Sequence, residues 1–133
     1  MIEVDKNPPE CWPTLEKVFG VKWEATIVCT CDGKIHSPAG TVSPATYVHE
    51  LVHVEQQRRM TWPLYLKRYL NDESFRKTVE TEAYRAEAAF LEATIRDATE
   101  LWCVKHRIAK SMAGGYNGLF TYEEASDILN QNT

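Results

Sequence analysis

Two histidines four residues apart lie in the stretch Tyr47-Val48-His49-Glu50-Leu51-Val52-His53-Val54-Glu55-Gln56, and they restrict the possible folds more than any other feature. The stretch reads as helix. Ser43 is a good N-cap, Pro44 suits the first helical position, and no Gly or Pro follows until Pro63. At 3.6 residues per turn the imidazoles of His49 and His53 share one face, close enough for a single metal ion. Glu50 points about 100° away, where its carboxylate can act on water without being a ligand. Val48, Leu51, Val52 and Val54 make the helix apolar almost all round, which predicts burial. Two buried histidines and a glutamate need partners. The plainer alternative is a pair of hydrogen-bonded core histidines beside a salt-bridged Glu50.

With 133 residues and 44% hydrophobic content, the chain suits one domain over residues 1–133. A net charge of -4 and a pI near 5.6 argue against nucleic acid as the main partner. A solvated helical face accounts for the basic strip Arg58, Arg59, Lys67, Arg68, Arg76 and Lys77. No apolar run approaches eighteen residues, and the N-terminus lacks the form of a signal peptide, so no membrane role and a cytoplasmic location are expected. Cysteines stand at positions 11, 29, 31 and 103 with no Cys-x-x-Cys pair, and are expected reduced, mainly as packing residues. Cys29 and Cys31 point to one face of an expected strand, which keeps a metal role open.

In chain order, residues 1–10 read as irregular because of Pro8 and Pro9, and 11–20 as a short helix ending at Gly20. Alternation from Lys22 to Cys31 predicts a strand, with Asp32-Gly33 turning it into a hairpin with Lys34-Ile35-His36. After the His49 helix, Thr61-Trp62-Pro63 reads as a break before a short helix. A long helix is predicted from about Glu73 to Asp97, with the apolar stripe Phe75, Val79, Ala83, Ala86, Phe90 and Ala93. Helix continues, after a bend, from Ala98 to Met112. Thr121-Tyr122-Glu123-Glu124 matches a capping box opening a last short helix. The fold class expected is α+β: a mostly helical, minimal zincin-like domain with a small antiparallel hairpin packed on the motif helix.

A catalytic zinc site usually has three protein ligands and one open position, so a third ligand is needed. Glu82 falls inside the expected stripe and is the preferred choice, with a structural salt bridge as its alternative. Glu80 and Glu87 fall with Tyr84 and Leu91 on a neighbouring face, where water or Arg76 and Arg85 would satisfy them. His36, His106 and the cysteines rank lower. Gln56 and Arg59 exclude the metzincin pattern, and the Gly-Cys-Leu-Ser segment of peptide deformylases is missing around Cys29 and Cys31.

The run His49 to Gln57, a Tyr/Leu-rich segment and Glu80-Thr81-Glu82-Ala83-Tyr84 together resemble small gluzincin-type metallopeptidases of phage and bacterial genomes, over roughly residues 34–90. The resemblance implies Zn2+ held by His49, His53 and Glu82, Glu50 as general base, and a peptide or protein substrate. It departs from larger gluzincins at Ala86, where they carry an acidic residue, so support for the ligands must come from elsewhere, with Gln56 a candidate. The reaction implied is metal-assisted hydrolysis. An edge strand of the hairpin would align an extended peptide, and Tyr116 or His36 would face the oxyanion. Two other readings stand beside it: a catalytically idle, zinc-stapled structural or regulatory protein, and a metal-free helical interaction module.

Overall fold

A computed structural model describes residues 2–131. The elements run β1 (Val4–Asp5), α1 (Trp12–Phe19), β2 (Cys29–Cys31), β3 (Lys34–His36), α2 (Pro44–Arg58), α3 (Trp62–Asn71), α4 (Glu73–Thr94), α5 (Ala98–Gly114) and α6 (Tyr122–Asn130). The fold is α+β and mostly helical, with a small mixed sheet in the order β1-β3-β2.

The hairpin forms where its turn residues allow it. Asp32 and Gly33 take φ of 51° and 73°, the left-handed pair a two-residue turn needs to match strand twist, and β2 and β3 pair antiparallel with Thr30 opposite Ile35. Two details differ from the sequence expectation. The strand predicted from Lys22 shrinks to Cys29–Cys31, because Trp23–Ala25 curls into a single 3-10 turn that sets the Trp23 ring 5.2 Å from Trp12. The N-terminal segment, expected to be irregular, adds β1 in parallel to β3 ahead of Pro8 and Pro9. The sheet therefore has three strands, and β2 is an edge.

Local capping chemistry sets the helix starts. Ser43 accepts from the Thr46 N–H, Asp72 from Phe75 and Asp97 from Glu100, while Thr121 and Glu124 form the reciprocal capping box. Asp97 explains why α4 and α5 are separate helices, since its side chain restarts the hydrogen-bond ladder after the extended Ile95. The expected break separates α2 from α3 at residues 59–61, and Pro63 itself sits in the first turn of α3, where the missing N–H costs nothing.

One apolar core lies among α4, α5 and α6, where Ala88, Ala109, Met112, Phe120, Ala125 and Leu129 are nearly solvent-free. The other side of α4 packs against α2, and α2 in turn carries the sheet. Gln57 ties that sheet to the helix, accepting from Gly33 N–H at 2.8 Å and donating to the Thr30 carbonyl at 2.9 Å. Among the described residues no helix is long and apolar enough to cross a membrane.

Candidate metal centre

The motif helix is buried on its polar side. His49, Glu50, His53, Gln56 and Gln57 are buried along with Val54, whereas Leu51 is exposed and Val48 and Val52 are only half-buried. The apolar residues that suggested a greasy helix are therefore not its main contact. The face turned to α4 and to β2 is a polar stripe at positions 49, 53 and 56, the three-and-four spacing of a core-facing face.

The α4 face opposite is polar too. Its buried positions are Arg76, Val79, Glu80, Ala83, Tyr84, Glu87, Ala88 and Leu91, about a quarter turn from the stripe predicted from apolar content. Glu80 therefore faces α2. Its Oε1 lies 3.0 Å from His53 Nε2 and 3.4 Å from His49 Nε2, and the two Nε2 atoms are 3.2 Å apart. These three donor atoms lie within 4.8 Å of one another, and no other group of three His, Cys, Asp or Glu does so among the described residues. A tetrahedral ion with bonds of about 2.0–2.1 Å has ligand atoms roughly 3.3 Å apart, so the observed spacings fit one zinc-sized ion.

Neighbours fix the orientation of each donor. His49 donates from Nδ1 to Glu87 Oε1 at 2.9 Å, and His53 donates from Nδ1 to Gln56 Oε1 at 2.8 Å. Gln56 is held in that orientation by its own bond to the Val79 carbonyl at 2.9 Å. With both Nδ1 atoms engaged, the two Nε2 lone pairs are left for a cation, the arrangement usual for metal-binding histidines. Tyr69 donates to Glu80 Oε2 at 2.5 Å, which leaves Oε1 toward the histidines. Burial pushes the Tyr69 hydroxyl well above its ordinary range, so it remains a donor.

Glu50 stands next to this group. Its Oε1 accepts from Thr30 Oγ1 at 2.9 Å, and its Oε2 lies 3.5 Å from His49 Nε2. All four side chains line a cleft of about 700 Å³ that also borders β2 and the loop around Tyr116. Burial disfavours charge on His49, yet the Glu80, Glu87 and Glu50 carboxylates outweigh it and hold the imidazole at about 10. His53 is raised in the same balance, chiefly by Glu80. Burial would raise the Glu80 carboxyl, but the two histidines hold it far below its ordinary value. The cluster of acids and bases attracts a cation strongly, whether protons or a metal ion.

No protein-family model, no curated protein and no solved structure matches the chain. The likeness to gluzincins rests on the motif residues alone.

Of the residues singled out from sequence, His49, His53 and Glu50 come together as expected. Glu82 does not. Its side chain is half-exposed and 3.9 Å from Arg59, so the surface ion pair accounts for it and Glu80 takes its place in the cluster. Gln56 supports His53, and Glu87, expected on a neighbouring face satisfied by water or by Arg76 and Arg85, supports His49. The remaining histidines serve elsewhere: His36 contacts the Asn7 carbonyl at 2.8 Å, and His106 stacks on Trp102 and meets the Tyr122 hydroxyl. Tyr116 does reach the cleft, with its hydroxyl 2.7 Å from that of Tyr84. Sequence offered a signal for Glu80 and Glu87: they are seven apart, with Tyr84 between, matching the polar stripe of α2.

Proposed function

We propose that the chain is a zinc-dependent hydrolase of peptide bonds, with His49, His53 and Glu80 as the metal ligands and Glu50 as general base. The observation that carries this reading is the set of three donor atoms 3.0–3.4 Å apart with a separate carboxylate beside them in a cleft. His49, His53 and Glu80 would hold the ion, which when bound would supply Lewis acidity, lowering the pKa of water and polarising the substrate carbonyl.

The protein's own groups do the rest. Thr30 holds one oxygen of Glu50 and leaves the other beside the ligands, so the carboxylate is aimed to take a proton and hand it to the leaving amine. Burial pushes both Tyr84 and Tyr116 well above the ordinary phenol range. Both stay protonated, and in the pair one hydroxyl donates to the other, leaving one proton for an oxyanion in the cleft. Tyr84 also packs edge-on against His49, at 4.4 Å between ring centres, which places the pair at the ligands. The edge strand β2 borders the same cleft and offers backbone groups to an extended peptide, although Gln57 already occupies the Thr30 carbonyl.

A metal that only stapled the fold would be expected in a closed four-ligand site. Three ligands, a separate carboxylate held by a threonine and a cleft beside them favour the hydrolase. The test is a comparison of wild type and Glu50→Gln on a broad peptide library, with zinc measured on both. The variant should keep its zinc and lose about 10² to 10⁴ in rate. Equal cleavage by the two proteins would reject the reading.

A further inference from the structure

Three of the four cysteines meet where the N-cap residue of α1 approaches β2. Cys31 Sγ lies 3.1 Å from Cys11 Sγ and 3.2 Å from Cys29 Sγ. Cys31 is buried, Cys11 and Cys29 are half-buried, and Cys103 is exposed on α5. Cys11 occupies the N-cap of α1, yet its side chain makes no capping bond. Its sulfur is engaged with Cys31 instead.

A shared metal ion does not suit these sulfurs. They are not within 4.8 Å of one another as a set of three, so Cys11 and Cys29 are further apart than the roughly 4.6 Å that two Zn–S bonds can span. The chemistry open to them is pairwise and centres on Cys31. Between Cys29 and Cys31, two apart on an extended strand, the Cα separation is about 6.4–6.8 Å, at the upper limit for a disulfide. Cys11 approaches from a separate element and is free of that constraint.

We propose that Cys11 and Cys31 form a hydroperoxide-sensitive dithiol that closes an intramolecular disulfide tying α1 to the edge strand β2. The Cys11 sulfur attacks a peroxide oxygen, the O–O bond breaks, and a sulfenic acid and hydroxide result. The Cys31 sulfur then attacks the Cys11 sulfur, the S–S bond forms and the S–O bond breaks. In sum, two thiols and one hydrogen peroxide give one disulfide and two waters. Cys11 is the first to react because it is the more accessible of the pair. Cys31 is buried behind it with its sulfur 3.1 Å away, which places it to resolve the sulfenic acid. The strand so tethered also carries Thr30, the partner of Glu50. The dithiol stands whether or not the cleft hydrolyses peptides.

The test uses the full chain with Cys103→Ser, treated with one equivalent of hydrogen peroxide, alkylated under denaturing conditions, and mapped by mass spectrometry. The Cys11 and Cys31 peptides should appear joined and lighter by two hydrogens, with Cys29 alkylated. Adding Cys11→Ser, at a half-buried position that tolerates the change, should reduce cross-linked peptide at least tenfold. Full alkylation of all three thiols after peroxide, sulfinic acid on Cys11 without a bridge, or a dominant Cys29–Cys31 pair would each overturn the proposal.

Discussion

Glu80 and Glu82 are two positions apart in sequence and about 200° apart on the α4 surface, so only one of them can face α2. Glu80 is 4% exposed and touches both motif histidines, while Glu82 meets solvent and Arg59. We expect Glu80→Gln to lower zinc affinity by more than 100-fold and Glu82→Gln to leave it unchanged, as read by competition with a chromophoric chelator. The reverse pattern would remove Glu80 from the site. Glu87→Gln is expected to weaken zinc by 10- to 100-fold, because His49 loses its charged acceptor but keeps a neutral one. The motif itself was legible in sequence because His49, Glu50 and His53 have a spacing with a mechanical meaning. The choice of Glu82 over Glu80 fails because apolar content picks the wrong face of α4, and that rule does not hold where two helices meet through a polar cluster. Arg76, Glu80 and Glu87 are then signs of the buried face and not of the solvent face.

Among the elements, the best-read ones are those that carry their own boundary chemistry. Gly20 ends α1 in the left-handed region, Ser43 and Pro44 open α2, Asp32-Gly33 turn the hairpin, and Thr121 with Glu124 open α6. Elements defined by tertiary contact were not legible. β1 exists only because β3 offers it a partner, and the stretch around Trp23 alternates like a strand yet coils to put its ring against Trp12. Thr121→Ala should destabilise the protein by about 1 kcal/mol, seen as a small fall in the denaturant midpoint at constant slope. An unchanged midpoint would show that the capping box contributes nothing. β2 can be tested for its part in the site. Thr30→Val keeps the shape and removes the donor to Glu50, and a hydrogen bond to a charged group contributes about 1.5–3 kcal/mol. Zinc content should hold while peptide hydrolysis falls by roughly 10- to 100-fold; loss of both together would make Thr30 a structural residue only.

For the molecule as a whole, the acid–base cluster between α2 and α4 makes stability depend on pH in a way that reveals what fills it. Without a metal ion the cluster is held by protons. His49 is raised from 6.5 to about 10 by the neighbouring carboxylates against the effect of burial, and His53 is raised too. A group with a raised folded value contributes its full stabilisation below its unfolded value and loses it as pH climbs through the folded one. Metal-free protein should therefore be most stable near pH 6, and its melting temperature should fall steadily from about pH 6.5 toward 10. Glu80 acts in the opposite sense, since its lowered value makes its contribution complete above the ordinary carboxylate range and lost only in acid. It adds no slope in that window. With zinc the sign changes. The ion needs His49 and His53 without their Nε2 protons, so its apparent affinity rises with pH. At a free concentration of 100 times the dissociation constant, binding adds about 2.7 kcal/mol to the folded state. The melting curves with zinc and with chelator should thus diverge as pH rises from 6 to 9, the gap widening as the histidine protons become easier to displace. Parallel curves across that range would mean that the cluster is a metal-free network of buried acids and bases, and the zinc centre would have to be abandoned.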